Sequence, residues 1–532
     1  MSMRSSRIAD VVLLLACVSA SSAISIAMGQ DANWDLQNYH YYDPWAWWAG
    51  RSLDRDIAAA QLQTFLNPFL DLPFYAMVAR DWDPRVVSAV LALPAGIGAW
   101  LLAKLAWLLF DGDNAPSRTV ATAASLAIGL TAAMAVGTLG TTMNDWPGAA
   151  LTLAALFIVA RGITRRETLP ARTLIAAGLL MGIASGLKLT VATFAVGLCV
   201  AILLRPGAAR RVRDAFAFGV AVLAGFAISY GYWGWTLWSH FGNPIFPYAN
   251  EWIGSPWWEQ APVLIRRYGP HALNQWLEFP LRLRGARPFY VTEVPYADAR
   301  IAVLYVLAIA AALGALAVRT LQPRDDPPAA PSRTTPAWAL VGVFWAASFL
   351  LWTAQHSILR YIVVLEVLTG LLIVGLLRVL LRRGYAQVVM VVAAAALIGT
   401  THWPDWGRVG YGARWFDVQV PRVEPGALVL LVADAPMAHV LPFFPPDARH
   451  LGVRNNFNFP GRATLIEKTI AGAIRTHPGP LYALSYPAGE AAEDLAAHGL
   501  RRIPGGCADV RTNMRTSPIE LCRLERTGDP AR

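Results

Sequence analysis

Long apolar runs alternate with short polar stretches along most of this chain, and the polar stretches are either arginine-bearing or rich in acids and tryptophan. Apolar runs near 8–28, 84–110, 118–139, 148–162, 172–187, 189–204, 215–235, 300–318, 336–354, 358–378 and 384–402 predict about eleven α-helices able to cross a hydrocarbon core about 30 Å thick. With Met1–Arg7 on the inner side, the loops at 163–171, 205–214, 319–335 and 379–383 fall inside, and all carry Arg, as the positive-inside rule requires. The loop at 111–117 says less, with Asp111 and Asp113 ahead of Arg118. The loops at 29–83, 140–147, 236–299 and 355–357, and the tail from about 403, then lie outside. Trp34, Trp45, Trp47 and Trp48, and again Trp233, Trp235 and Trp238, sit just beyond apolar runs, where an interfacial aromatic belt belongs.

The N-terminus admits a second reading. Met1–Arg7 is a basic leader, and Leu14-Leu15-Ala16-Cys17 loosely resembles a lipobox. The apolar run continues well past Cys17, which favours a retained span over a cleaved signal. Residues 29–83 lie outside in both cases. After 402 the pattern changes: short apolar runs (Ala427–Val432, Leu481–Leu484) flank an amphipathic stretch with Leu465, Ile466, Ile470 and Ile474 at helical spacing. The expectation is a transmembrane domain over 1–402 and a small extracytoplasmic α/β domain over 403–532, which packs against the loops or shapes acceptor access.

Composition agrees with this picture. Of 532 residues, 55% are hydrophobic and 15% charged, against roughly 25% charged in soluble chains. The formal charge of +10 is dispersed in Arg161–Arg166, Arg205–Arg213 and Arg378–Arg383. With no extended basic face and no recognition motif, a nucleic-acid partner is not expected. Cys17 and Cys199 lie in apolar runs; Cys507 and Cys522 lie close together in the tail, where a disulfide suits an extracytoplasmic location.

Candidate chemistry concentrates in the first external loop. Residues 31–48 read Asp-Ala-Asn-Trp-Asp-Leu-Gln-Asn-Tyr-His-Tyr-Tyr-Asp-Pro-Trp-Ala-Trp-Trp, followed by Gly50-Arg51, Asp54, Asp56, Gln61, Gln63 and Asn67-Pro68. Rings that cover apolar sugar faces, beside acids and amides that pair with hydroxyls, suit carbohydrate recognition; the plainer reading is a set of interfacial anchors with solvated acids. Pro44–Gly50 and Gln63–Ala79 are amphipathic enough to lie along a bilayer surface. The loop Thr141-Thr142-Met143-Asn144-Asp145-Trp146-Pro147 places Asp145 between two apolar runs. There it is either a helix cap or a site acid, since an acid at that depth needs a partner or a task.

These features resemble the GT-C superfamily of integral membrane glycosyltransferases, which carry an acidic first external loop, surface-lying helices and a second acidic motif after the third span. Asp35 in Asp35-Leu-Gln-Asn-Tyr-His40 stands at the first-loop position. Asn144-Asp145 looks like the second motif of aminoarabinose and protein mannosyl transferases. Gln63–Pro73 stands where those families carry a Pro-rich surface helix, and Gly182-Ile-Ala-Ser-Gly186-Leu-Lys188 is similar to their Gly-rich span ending in Lys. The chain departs in having no Asp-Glu pair in the first loop and in the early position of Lys188.

The resemblance implies an α-helical polytopic GT-C fold and a transfer from a polyprenyl-phosphate sugar donor to an extracytoplasmic acceptor that is a lipid, glycan or protein. An inverting single displacement needs a base for the acceptor hydroxyl and cations for the departing phosphate. Asp35 is the first candidate base and Asp31 the second, with Asp145 orienting the acceptor or assisting a metal. Arg360, at the mouth of its span, and Lys188 are the candidates for phosphate, Arg for its bidentate fork; snorkelling to the interface is the competing reading of Arg360. Asn38, Tyr39, His40, Gln63, Asn67 and Asn144 are candidate substrate contacts, with His40 also readable as a hydrogen-bonded scaffold. Glu366, six residues past Arg360, is off its helical face and is expected to pair with another helix. Arg282, Arg284 and Arg287 in the third external loop suit a phosphate, an anionic acceptor or lipid headgroups. No cofactor is called for: the sequence has no Cys/His cluster with ligand spacing, and its separated acids leave room for a divalent cation without requiring one. The rival readings are a transporter or lipid-linked saccharide flippase, a polysaccharide polymerase or ligase, and a non-catalytic scaffold. A bacterial inner membrane fits the compact chain and its Arg-rich short loops.

Overall fold

The computed structural model describes residues 3–51, 53–165, 168–205, 210–263, 268–285, 290–321, 333–487, 491–515 and 517–527. The long helices are α1 (Met3–Met28), α2 (Pro84–Leu91), α3 (Leu93–Leu109), α4 (Ala115–Leu130), α5 (Asp145–Arg165), α6 (Ala171–Leu187), α7 (Ala192–Leu203), α8 (Arg211–Phe241), α9 (Arg300–Leu321), α10 (Thr335–Gln355), α11 (Val363–Leu380) and α12 (Arg383–Thr400). Among the described residues, 7 helical stretches are long and apolar enough to cross a membrane. Every other predicted span is helical too, but shorter or less apolar. The run at 118–139 breaks after Thr131 into a one-turn helix, Ala133–Gly137. Its free N–H groups explain the break, because Asp298 accepts from Ala133 N at 2.8 Å and Glu366 from Met134 N at 2.9 Å. Glu366 thus bonds to another helical segment, as its position off the Arg360 face suggested.

Chains of this composition form helices in lipid because every backbone N–H and C=O must be satisfied internally. Large apolar side chains are left facing outward, including Val11, Val12 and Leu15 on α1, Phe216, Leu223 and Ile228 on α8, Leu313 and Leu316 on α9, and Val388, Val391 and Val392 on α12. Only hydrocarbon is a plausible solvent for so many. The chain is an integral membrane protein. In the bundle interior, close approach takes the place of a hydrophobic drive. Gly178, Gly182 and Gly186 line one face of α6, and a methyl group at Gly182 would collide with the Val222 carbonyl and with Gly225 on α8. The glycines of the Gly-rich span therefore seat α6 against α8.

The tail forms a mixed six-stranded sheet. Its strands follow a two-stranded ribbon made of β1 (Gln30–Asp31) and β2 (Arg408–Val409), and are β3 (Val418–Gln419), β4 (Leu428–Val432), β5 (Arg449–Arg454), β6 (Leu481–Ser485), β7 (Leu500–Thr512) and β8 (Ile519–Arg526), in spatial order β3-β7-β8-β6-β4-β5. β4 runs parallel to both neighbours and is buried along its whole length, which is why it reads as an unbroken apolar run. The helix α13 (Leu465–Thr476) covers the sheet with Ile466, Ile470 and Ile474, and Thr464 caps it by accepting from Glu467 N. Cys507 and Cys522, opposite each other on β7 and β8, form a disulfide.

Tail and first loop are joined throughout. Gln30 and Asp31 pair antiparallel with Val409 and Arg408, and Gly452 N donates to Ile57 O at 2.9 Å. His439 Nδ1 lies 2.9 Å from Gln37 O. Asp56 accepts from His450 N at 3.0 Å, from Tyr42 Oη at 3.0 Å and from Arg51. The acid-rich loop is thus a layer between bundle and sheet.

Candidate active site

Four charged side chains from distant parts of the sequence meet where this layer touches the bundle. Asp35 precedes a single wide π turn, Leu36–His40, a distortion common at functional positions. Arg360, on the 3₁₀ turn leading into α11, donates from Nη1 to Asp35 Oδ2 at 2.5 Å. Asp145 opens α5, and Lys188 sits in extended conformation between α6 and the turn before α7. Lys188 pairs with Asp145 Oδ1 and donates to Met143 O at 2.7 Å. Both cations also touch one ring: Arg360 lies 5.1 Å and Lys188 5.3 Å from the centre of Tyr361, within cation–π range. Two acids and two bases thus form a cluster with no net formal charge.

Burial alone would push the Asp35 carboxyl upward. The nearby charges of Arg360, His40 and Lys188 outweigh it and hold the group below the usual carboxylate range. Tyr39 is driven the other way, its phenol raised by burial and by Asp35. Asp145 is nearly buried, and its Oδ2 has no hydrogen-bond partner among the described residues. Its carboxylate thus engages Lys188 while one oxygen stays open.

A second polar group adjoins the first. His40 Nδ1 lies 2.9 Å from Asp71 Oδ2, and Asn144 Nδ2 donates to Asp71 Oδ1 at 2.6 Å. Asn144 takes φ +62°, a left-handed conformation that Asn tolerates better than most residues. That turn sets Asn144 toward Asp71 and Asp145 toward Lys188.

The remaining sequence candidates occupy scaffold positions. Asp31 is fully buried and accepts from Asn33, from Thr142 N at 2.8 Å and from Thr142 Oγ1 at 2.9 Å. Its carboxylate ties the loop at 29–83 to the loop at 140–147. Asn38 donates to Ala60 O and to Gln63 Oε1, both at 3.2 Å. Asn67 donates to Gly186 O at 2.9 Å and Ser229 O at 3.0 Å, bridging α6 and α8. Arg282 is exposed and paired with Glu278 on the amphipathic helix Leu273–Arg282, while Arg287 lies outside the described residues.

Sequence reasoning missed Asp71, Asp43 and Tyr361. Asp71 carried a weak signal as an acid between two prolines of the surface stretch (Asn67-Pro-Phe-Leu-Asp-Leu-Pro). Asp43 carried none beyond membership of the acid-rich loop. Among the described residues no three His, Cys, Asp or Glu side chains are grouped to hold a metal ion.

A cavity of about 1000 Å³ runs down the outside of α9, α10 and α11. Trp276, Phe279 and Thr353 line one end, Leu376 and Met390 the wall, and the ion pair of Asp113 with Arg378 the other end. The first end is formed by the last turn of α10, a few residues before Arg360.

The fold is similar to two solved structures. One is ArnT from Cupriavidus metallidurans bound to undecaprenyl phosphate, with a TM-score of 0.45 and 16% identity over 73% of this chain. The other is the archaeal oligosaccharyltransferase AglB from Archaeoglobus fulgidus in complex with an inhibitory peptide and a dolichol-phosphate, with a TM-score of 0.42 and 12% identity over 91% of this chain. The chain spans 63% of the first and 70% of the second. At these values neither likeness bears on activity. No family model matches the sequence, and no curated protein does.

Proposed function

We propose that this protein is a GT-C-type membrane glycosyltransferase that moves a sugar from a polyprenyl-phosphate donor to an acceptor hydroxyl outside the bacterial inner membrane. The observation that carries the reading is the meeting of Asp35, Arg360, Lys188 and Asp145 where the first loop touches the bundle; an apolar groove along the neighbouring helices reaches Thr353 on the last turn of α10. Arg161, Arg165, Arg378 and Arg382 lie at the opposite helix ends, consistent with an inside position there.

In the proposed reaction the apolar groove takes the isoprenoid chain, and the donor phosphate sits against Arg360 and Lys188. A phosphate arriving at Arg360 competes with Asp35 for the guanidinium and weakens the ion pair that depresses Asp35 basicity. Asp35 then takes the acceptor hydroxyl proton. The acceptor oxygen forms a bond to the anomeric carbon from the face opposite the phosphate, and the carbon–oxygen bond to phosphate breaks with its electron pair going to phosphate. Arg360 and Lys188 stabilise the dianion that leaves, and Asp145, with one free oxygen, orients the acceptor. His40, Asp71 and Asn144 fix the loop around it. The configuration at the anomeric carbon inverts.

The test is donor consumption. Full-length protein in lipid nanodiscs receives a panel of polyprenyl-phosphate sugars with envelope lipid and glycan extract as acceptor, followed by mass spectrometry. The reading expects loss of one donor and a matching glycosylated product. Movement of intact donor between leaflets with no product would replace it with the flippase reading.

A further inference from the structure

Asp43, whose carboxyl feels the charge of Asp71 in the second polar group, also lines a smaller cleft of about 210 Å³ between the helix Tyr42–Trp48 and the end of α8. Trp47, Tyr232 and Trp233 form its walls, and Thr236 and His240 its rim. The walls are fixed. Trp233 Nε1 donates to Phe65 O at 3.0 Å, and Phe69 braces Trp47 edge-on at 5.2 Å and Tyr232 at 5.8 Å. Two acids line the cleft, and they differ sharply. Asp56 is occupied by Arg51, Tyr42 and His450. Asp43 is 7% exposed, and among the described residues neither carboxyl oxygen has a hydrogen-bond partner.

A buried polar group without partners is destabilising, and a ligand that supplies the missing bonds accounts for its retention. Burial, and then the neighbouring Asp71 carboxylate, push the Asp43 carboxyl well above its usual range. In its neutral form, which that shift favours, the carboxyl offers one O–H donor and a carbonyl acceptor, a pairing suited to neutral hydroxyls. Drug-sized ligands need about 300–1,000 Å³; this smaller space suits a single ring. Exposed Trp48, Trp235 and Trp238 flank the opening, which puts it at headgroup height in the bilayer.

We infer that this cleft binds one neutral pyranose ring of the acceptor, stacked against Trp47 and Trp233 and hydrogen-bonded by Asp43. The inference rests on the glycosyl-transfer reading for the word acceptor, and on the cleft alone for the ring.

The test uses full-length protein in phosphatidylcholine nanodiscs and saturation-transfer NMR. The probes are octyl β-D-glucoside, galactoside and mannoside below their micellar concentrations, and the corresponding methyl glycosides. At least one octyl glycoside is expected to bind, and Asp43→Leu or Trp47→Ala to weaken it by about tenfold or more, with Asp43→Asn within about threefold. Thr236→Phe, which fills the cleft from its rim, gives the same loss if the other variants fold poorly. Octyl without methyl binding identifies a lipid-anchored sugar, and equal binding a free glycan. Binding of no glycoside, or binding indifferent to every variant, overturns the inference. Donor consumption in the same nanodiscs separates the two readings: its absence beside variant-sensitive glycoside binding removes the transferase and leaves the pocket, and its presence beside variant-insensitive binding removes only the pocket.

Discussion

Replacing Asp35 by Asn keeps the shape of the side chain and removes its negative charge, so it separates the two roles that the Asp35–Arg360 pair combines. The pair is tight, at 2.5 Å, with side chains 10% and 15% exposed. Loss of a general base is worth about 10²–10⁴ in rate, or roughly 3–5 kcal/mol in the barrier. The donor should respond in the opposite sense. With no carboxylate competing for Arg360, phosphate gains an unshared guanidinium, and affinity should tighten by about three- to tenfold, on the order of 1 kcal/mol. Stranding a buried partner costs up to about 3–5 kcal/mol of stability, so the melting temperature of the variant must be recorded first. The assay is donor consumption at saturating acceptor, with donor affinity measured separately by equilibrium binding in nanodiscs. A folded Asp35→Asn protein with turnover within threefold of wild type would refute Asp35 as the base. Donor binding weakened tenfold would refute the competition for Arg360.

Three further outcomes follow from the same geometry. Arg360→Met leaves burial as the main influence on Asp35, so its carboxyl rises; the acid limb of kcat/KM against pH should move to higher pH, and Arg360→Lys should restore part of the wild-type position. Lys188→Met strands buried Asp145 at a cost of about 3–5 kcal/mol, read as a lowered melting temperature, and adding Asp145→Asn should recover most of that loss. Asp56 is raised by burial but held well below the ordinary range overall by His450 and Arg51; a depressed native value stabilises above the unfolded value of about 3.9 and is lost as pH falls beneath it. Proteolysis between residues 49 and 60 should therefore increase below about pH 4, and Asp56→Asn should remove that dependence.

The apolar runs made the helices legible, since each needs only length and composition. The break at Thr131 was not, because it depends on Asp298 and Glu366 arriving from distant segments. Asp35, Asp145, Arg360 and Lys188 were each visible as charges at the edge of apolar sequence. Which would pair with which was not visible: Asp35 and Arg360 stand 325 positions apart, and no local period links them. Asp71 and Asp43 escaped for a related reason. Along the chain they are two more acids in an acidic loop, and only packing separates a bonded carboxylate from an orphaned one. In the tail, the runs at 427–432 and 481–484 became parallel neighbours of one sheet, and the amphipathic stretch became the helix covering it.

The stitching of the first loop to the tail has a consequence for synthesis. The loop that carries Asp35 is translated early, yet its partners at Val409, Gly452 and His450 emerge more than 350 residues later. Contacts of such sequence separation form late and slowly. Each new molecule must therefore pass through a stage in which its helices are inserted while the acid-rich segment still lacks its lid. A ribosome that stalls, or a message truncated before the sheet, would release a chain anchored in the membrane but unfinished around Asp35.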